Sequence, residues 1–365
     1  MSKTTLRVAI IGAGMIAEAG HIPAWQGTPD SEIVAIASRT AAHAQEAAGR
    51  HGIPRAYDDW RRMLEETRPD VVSVCTPNAT HREVAIGALE AGCHVLCEKP
   101  AATSHADAVA MFAAAEAAGR VLYVGQNGRF AVSHRAAWEI ARAGHLGEMY
   151  YAETAAMRRR GVPTWGVFHL REYAGGGPVY DIGVHALDTL LWIMGNPRVV
   201  AVSSVTFRRI ADRDEGLITS LSESGAPLGV HHPRPFDPGE VNVEDLAAAF
   251  VRLDGGGAVT FRVSWAANIP EGFGETVILG TEGGLRLQPL TLFGRMGRYQ
   301  ADVTPLVPPD PDVPFHGIHQ ETAHLARVIR EGEEPLVRRE EVLNVMAALD
   351  AIYRSAAEGH EVQVA

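Results

Sequence analysis

From residue 6 to residue 125 the chain repeats one unit: a short run rich in Val and Ile, a longer stretch with helical spacing, then another run. Strands are expected over 7–12, 33–38, 71–76, 94–98 and 121–125, with helices over 58–66, 81–91 and 104–118 between them. Strands separated by a helix do not close as hairpins, so this alternation builds a parallel sheet with helices on its faces. Ser104 stands where the last of these helices needs an N-cap. Gly92 and Gly119 fall where helices must stop before the next strand.

The grammar changes near residue 128. A helix over 133–143 and a strand over 148–156 lead through a loop to a helix over 181–194. The strands that follow are spaced as antiparallel hairpins. Residues 247–253 and 258–265 flank Asp254-Gly255-Gly256-Gly257, and 276–279 and 285–287 flank Thr281-Glu282-Gly283-Gly284. Two helices close the chain, with apolar stripes Ile318/Thr322/Leu325/Ile329 and Val342/Val345/Met346/Leu349/Ile352/Tyr353. A chain of 365 residues is expected to divide in two, here 1–127 and 128–365. Residues 212–242 carry four prolines and His231-His232 and read as a long irregular insertion, a lid or a mobile loop.

Composition narrows the partners. At 46% hydrophobic and 21% charged residues the chain is of ordinary globular type. The 33 basic residues against 44 acidic ones give a net charge of −11, which repels phosphate backbones and argues against nucleic acid. Cys75, Cys93 and Cys97 are odd in number and form no CxxC pair, so no disulfide framework is expected and the cytoplasm is the expected compartment. No apolar run reaches the roughly 18 residues of a membrane span. Residues 8–17 imitate a secretory leader, but Gly12 and Gly14 interrupt them and Glu18 follows at once. His231-His232 and His316/His319 have no carboxylate partner at ligand spacing, so no metal is expected.

Gly12-Ala13-Gly14-Met15-Ile16-Ala17 is a GxGxxA directly after a strand and opening a helix. Gly12 permits the tight turn, Gly14 lets backbone approach a pyrophosphate, and Ala17 allows close helix–strand packing. The second strand ends in Ser38-Arg39, without the carboxylate that commonly takes a ribose 2′-hydroxyl; a guanidinium there favours NADP over NAD, unless Arg39 lies on the adenine. Thr76-Pro77-Asn78, followed by His81, and Glu98-Lys99-Pro100 end the next strands, where such sheets bind ligands. Lys99 beside a nicotinamide is an electrostatic catalyst.

In Gly175-Gly176-Gly177-Pro178-Val179-Tyr180-Asp181-Ile182-Gly183-Val184-His185-Ala186-Leu187-Asp188, the polar residues Asp181, His185 and Asp188 share one helix face. Spacing alone leaves a metal site, a buried network and an acid–base site open. Upstream, Arg158, Trp165 and His169 are candidate substrate contacts: the arginine for an anionic group, the rings for stacking or hydrogen bonding to a sugar. Cys97 reads as a small strand residue.

Four of these features, the GxGxxA turn, Glu98-Lys99-Pro100, Val124-Gly125-Gln126-Asn127-Gly128-Arg129-Phe130 and the GGGPVYDIGVHALD stretch, together resemble the Gfo/Idh/MocA oxidoreductases, whose namesakes include glucose–fructose oxidoreductase and inositol dehydrogenase. The resemblance runs through nearly the whole chain. It implies an α/β fold: an N-terminal Rossmann dinucleotide-binding domain, then an α/β domain with an open, mostly antiparallel sheet that often packs against another subunit, giving a homodimer or homotetramer. It implies cofactor contacts at Gly12, Gly14, Met15, Ile16, Ser38, Arg39, Thr76, Pro77, Asn78, His81, Glu98, Lys99 and Gln126. It gives Lys99 a place at substrate and nicotinamide, Asp181 a substrate-binding role and His185 the acid–base role. The implied reaction is hydride transfer between NAD(P) and a sugar, inositol or related polyhydroxylated substrate. An NAD-dependent glycosidase and a non-catalytic dinucleotide sensor are the rivals. Tyr180, where a smaller aliphatic residue is common, and the 212–242 insertion depart from the pattern.

Overall fold

The computed structural model describes residues 5–213, 228–270 and 272–364. Its strands form two sheets, each in its own compact unit. The first sheet contains β1 (Leu6–Ile11), β2 (Ser31–Ala37), β3 (Ala56–Tyr57), β4 (Val71–Val74), β5 (His94–Cys97) and β6 (Leu122–Val124). They run in the order β3-β2-β1-β4-β5-β6 and every pair is parallel. This is the doubly wound order whose reversal lies between β1 and β4, where such sheets bind dinucleotides beyond the strand ends. Val71, Val72 and Val74 are fully buried, as strands covered on both faces require.

Local chemistry places the helices. Asp59 caps Trp60–Thr67 by accepting from the amides of Arg61 and Arg62, and Ser104 caps His105–Ala118 by accepting from that of Asp107. Gly119 ends the latter helix in the left-handed conformation.

The second sheet contains β7 (Met149–Met157), β8 (Val199–Phe207), β9 (Leu246–Leu253), β10 (Ala258–Ser264), β11 (Val277–Gly280), β12 (Gly284–Arg286), β13 (Thr291–Met296), β14 (Tyr299–Val303) and β15 (Val362–Gln363). Its order is β14-β13-β12-β11-β7-β10-β9-β8-β15, antiparallel except for the β7–β10 pair. One face carries helices. Ser355 of the helix Arg339–Glu358 accepts from the Ser204 amide through Oγ, and the Ser204 hydroxyl donates to the Ile352 carbonyl. The opposite face exposes Val205, Phe207 and Phe250 on neighbouring strands.

The linear division at residue 127 is too simple. Among the described residues the first unit comprises 5–127 together with 228–233 and Asp312–Arg339. The helix His316–Glu331 belongs to it because its apolar stripe packs on the helical segment after β1: a Cβ at Gly20 would lie 2.7 Å from Ile318 Cδ1, and the Thr28 hydroxyl donates to Thr322 Oγ1 at 3.0 Å. Within the expected 212–242 insertion, residues 214–227 lie outside the described residues; the remainder is irregular apart from the short turn Pro238–Glu240.

Candidate active site

In the first unit the glycine turn is built for close approach. Gly12 has φ +105°, and a Cβ there would stand 2.4 Å from the Cys75 carbonyl oxygen, so only glycine fits. Gly14 is exposed, and a Cβ there would meet nothing within 4 Å, leaving its backbone open to a ligand. Met15 and Ile16 follow, half-buried, and lead into a π turn, Ala17–His21. The amide of Ser38 donates to the Tyr57 carbonyl, and Arg39 extends beyond β2 into solvent.

Beyond β4 and β6 two buried acceptors have no hydrogen-bond partner, Thr76 Oγ1 and Gln126 Oε1. Orphaned polar atoms beyond strand ends, next to an open glycine turn, fit a polar dinucleotide. Pro77 is exposed and Asn78 opens the turn Asn78–Thr80. His81 differs: it is fully buried, Nδ1 facing the Pro100 carbonyl at 2.8 Å and Nε2 the Thr76 carbonyl at 2.9 Å. Burial lowers its pKa. With no exposed surface it ties together the two segments that carry Thr76 and Lys99 instead of touching a cofactor directly. Lys99 is half-buried, and the Glu98 carboxylate beneath it is buried against His21. Burial pushes the Cys75 and Cys97 thiols well up, which removes both as nucleophiles.

In the second unit the expected unbroken helix over 181–194 starts instead with a π turn, Val179–Gly183, and becomes α-helical over Val184–Ile193. The wider turn takes Asp181 out of line with an ideal α-helical stripe. Asp181 and His185 are half-buried, and Asp181 Oδ2 accepts from the indole of Trp265 at 2.8 Å. Asp188 faces elsewhere. It is 1% exposed and holds Arg129 in a two-pronged pair, Nε to Oδ2 at 2.8 Å and Nη2 to Oδ1 at 2.6 Å, while Nη1 of Arg129 meets Glu341. The open choice at this helix divides accordingly, Asp188 belonging to a buried network.

Glu244 fixes the glycine loop before that turn. Its Oε1 accepts from the amides of Gly177 and Val179 and from the Tyr353 hydroxyl at 2.7 Å. A Cβ at Gly176 would lie 1.9 Å from that hydroxyl, and one at Gly177 would lie 2.1 Å from the Glu244 carbonyl. Tyr180 points inward, 2% exposed, with its hydroxyl on Asp350. It is packing material, not a substrate-shaping residue.

Models of an oxidoreductase family match nearly the whole chain: the NAD-binding Rossmann fold over residues 6–126 and the C-terminal alpha/beta domain over 140–364. The chain belongs to the Gfo/Idh/MocA family. It is similar to D-glucoside 3-dehydrogenase of Escherichia coli K12, 39% identical over 74% of this chain and 73% of that protein. It is also similar to D-xylose 1-dehydrogenase (NADP(+)) 2 of Haloferax volcanii, 29% identical over 97% and 98%. Among solved structures, aldose-aldose oxidoreductase of Caulobacter crescentus in complex with glycerol aligns with TM-score 0.76 and 27% identity over 98% of this chain and 99% of that one. As a Gfo/Idh/MocA enzyme the chain is an NAD(P)-dependent oxidoreductase.

Of the three upstream candidates, Arg158, Trp165 and His169, the two rings are buried. His169 is fully buried, its Nε2 3.3 Å from an Arg234 nitrogen and its ring edge-on to Phe236. Trp165 is buried against Phe168. Neither ring presents a face to a substrate, and both are withdrawn as contacts. Arg158 is half-buried, donating to the Gly161 carbonyl, whereas Arg160 is spent on the Ala267 carbonyl and Asn268. His21, Trp265 and Glu244 were invisible to motif reading, because their partners lie far away in sequence. Among the described residues no group of His, Cys, Asp and Glu is arranged to hold a metal ion.

Proposed function

We propose that this chain interconverts a secondary alcohol and a ketone, or a lactol and a lactone, on a sugar, inositol or related polyhydroxylated molecule, with NADP preferred to NAD. The observation that carries the reading is a half-buried Lys99 just beyond the end of β5, on a sheet whose neighbouring strand ends bear the orphaned acceptors of Thr76 and Gln126. The sugar class is supported by the relatives, named as glucoside and xylose dehydrogenases.

NAD(P) supplies, when bound, the acceptor or donor of a hydride. The chain's own residues do the rest. Gly12, Gly14, Met15 and Ile16 would hold the pyrophosphate, Ser38 and Arg39 the adenosine ribose, and Thr76, Pro77, Asn78, Glu98 and Gln126 would line the nicotinamide end. In the oxidative direction His185 takes the substrate hydroxyl proton and Lys99 stabilises the oxyanion charge that develops as C–H cleaves. Asp181, held by Trp265, fixes a substrate hydroxyl. Arg158 is retained as a contact for an anionic or hydroxyl group.

The apolar patch of Val205, Phe207 and Phe250 supports a homodimer or homotetramer joined through the open sheet face. No helix among the described residues is long and apolar enough to cross a membrane, and three buried free cysteines are in keeping with a cytoplasmic enzyme. The test is a panel of sugars and polyols with NAD and NADP, following the near-ultraviolet absorbance of the reduced nicotinamide. Turnover of at least one is expected; conversion of glycosides with no net cofactor change would replace this reading with the glycosidase one.

A further inference from the structure

His21, which belongs to none of the sequence motifs, sits at the centre of a buried hydrogen-bond chain that ends at Lys99. It closes the π turn Ala17–His21 that opens from the glycine motif, and it is fully buried. Its Nε2 lies 2.8 Å from Glu98 Oε1 and its Nδ1 3.3 Å from Ser73 Oγ. The indole of Trp25 donates to Ser73 Oγ at 2.7 Å, and the backbone amide of Lys99 donates to Glu98 Oε2 at 3.2 Å.

Donor counting gives the chain one direction. An indole N–H only donates, so Ser73 Oγ accepts from Trp25, while its proton and its second lone pair both face His21 Nδ1. A carboxylate only accepts, so a ring proton on Nε2 is donated to Glu98, whose second oxygen takes the Lys99 amide. The order Ser–His–Glu imitates a hydrolytic triad, but Ser73 is fully buried and no substrate reaches its hydroxyl.

The amide of Glu98 is the last to bond a neighbouring strand, donating to the Val74 carbonyl; the next amide, that of Lys99, is held by a side chain instead. We propose that His21 is a positioning residue: through Glu98 it sets the backbone at Lys99 and ties that residue to the helical segment that begins at the dinucleotide turn. This inference rests on the reading of Lys99 as catalytic. A displacement of about 1 Å at a reacting group costs on the order of a hundredfold in rate.

The experiment compares His21→Leu, His21→Gln, Glu98→Gln and Lys99→Ala in the full chain, measuring kcat, KM and NADP affinity by fluorescence titration. His21→Leu should lower kcat by about ten- to a hundredfold with NADP affinity kept within about twofold, Glu98→Gln should lower kcat at least as much, and His21→Gln, which keeps an N–H near Nε2, should recover most of kcat. Equal losses in the Leu and Gln variants, or full kcat in a folded His21→Leu while Lys99→Ala is inactive, would overturn the role of His21. Full activity in Lys99→Ala would instead remove the reading beneath it. If His21→Leu does not fold, ¹⁵N NMR of the wild-type imidazole decides: the Nε2–H tautomer is expected, and the Nδ1–H tautomer or a charged ring would overturn the chain.

Discussion

Trp265 donates its indole N–H to Oδ2 of Asp181 across 2.8 Å, and the ring that does so is fully buried. It packs among Val162, Val241, Val243 and Ala266, with Phe168 and Phe236 alongside. A carboxylate held by so confined a donor has its direction chosen before any substrate arrives. Trp265→Phe keeps the packing and removes the donor. Bonds of this charge-assisted kind contribute about 1.5–3 kcal/mol, so kcat/KM should fall roughly tenfold to a hundredfold. Steady-state kinetics check this, and an unchanged kcat/KM would separate Asp181 from its indole.

Lys99→Ala should fold normally and lose about 10²–10⁴ in kcat/KM, the range for a lost electrostatic or acid–base contribution. Circular dichroism and turnover, measured on the same preparation, check both halves. Near-wild-type turnover would end the catalytic assignment.

Arg39 is exposed, which suits either a 2′-phosphate or the face of an adenine. On the phosphate reading, Arg39→Ala weakens NADP by roughly tenfold to over a hundredfold and leaves NAD nearly untouched, and Ser38→Asp moves preference toward NAD by repulsion. Calorimetric titration of both cofactors distinguishes the cases, equal losses meaning stacking.

The Arg129–Asp188 pair is buried on both sides, so removing one partner strands a charge. Asp188→Asn should destabilise the chain by about 3–5 kcal/mol, read from its urea midpoint. A loss below about 1 kcal/mol would mean that Glu341 alone suffices for Arg129.

Burial raises the Glu244 pKa, although hydrogen bonds from Tyr353 and from the loop amides pull the other way. The folded state therefore holds this proton more tightly than the unfolded chain. The resulting stabilisation is complete below the ordinary carboxylate value of 4.5 and is lost as pH rises through the folded value. Wild type should thus gain stability relative to Glu244→Gln as pH falls from neutrality toward that value. Urea midpoints of both proteins across that interval check the sign, and a constant difference would contradict it.

Much of this was readable from residues alone. The glycine turn, the strand-end lysine and the Asp-x3-His spacing carry local signals, and their helices and strands came out within a few residues of expectation. What escaped depends on distant partners. Nothing near Asp188 says that Arg129 claims it, and nothing near Tyr180 says that Asp350 and Tyr353 draw it inward. Strands β13 and β14 lack the alternation that marks a half-buried strand: β14 is mostly exposed, and β13 passes from buried to exposed along its length. The π turns Ala17–His21 and Val179–Gly183 look like α-helix in sequence, because one inserted residue leaves composition unchanged. The helix His316–Glu331 showed its apolar stripe but not which unit would cover it.

That helix has a consequence for synthesis on the ribosome. The dinucleotide-binding unit is not contiguous: its sheet is complete by β6, yet the helix that covers Gly20 emerges about 200 residues later. The helical segment after β1 is made about 300 residues before that helix, so at about 5–20 residues per second it waits on the order of fifteen to sixty seconds for its cover. Through that interval the nascent chain must carry an uncovered apolar seam around Gly20, which makes this seam, not the sheet, the place where a chaperone has most to shield.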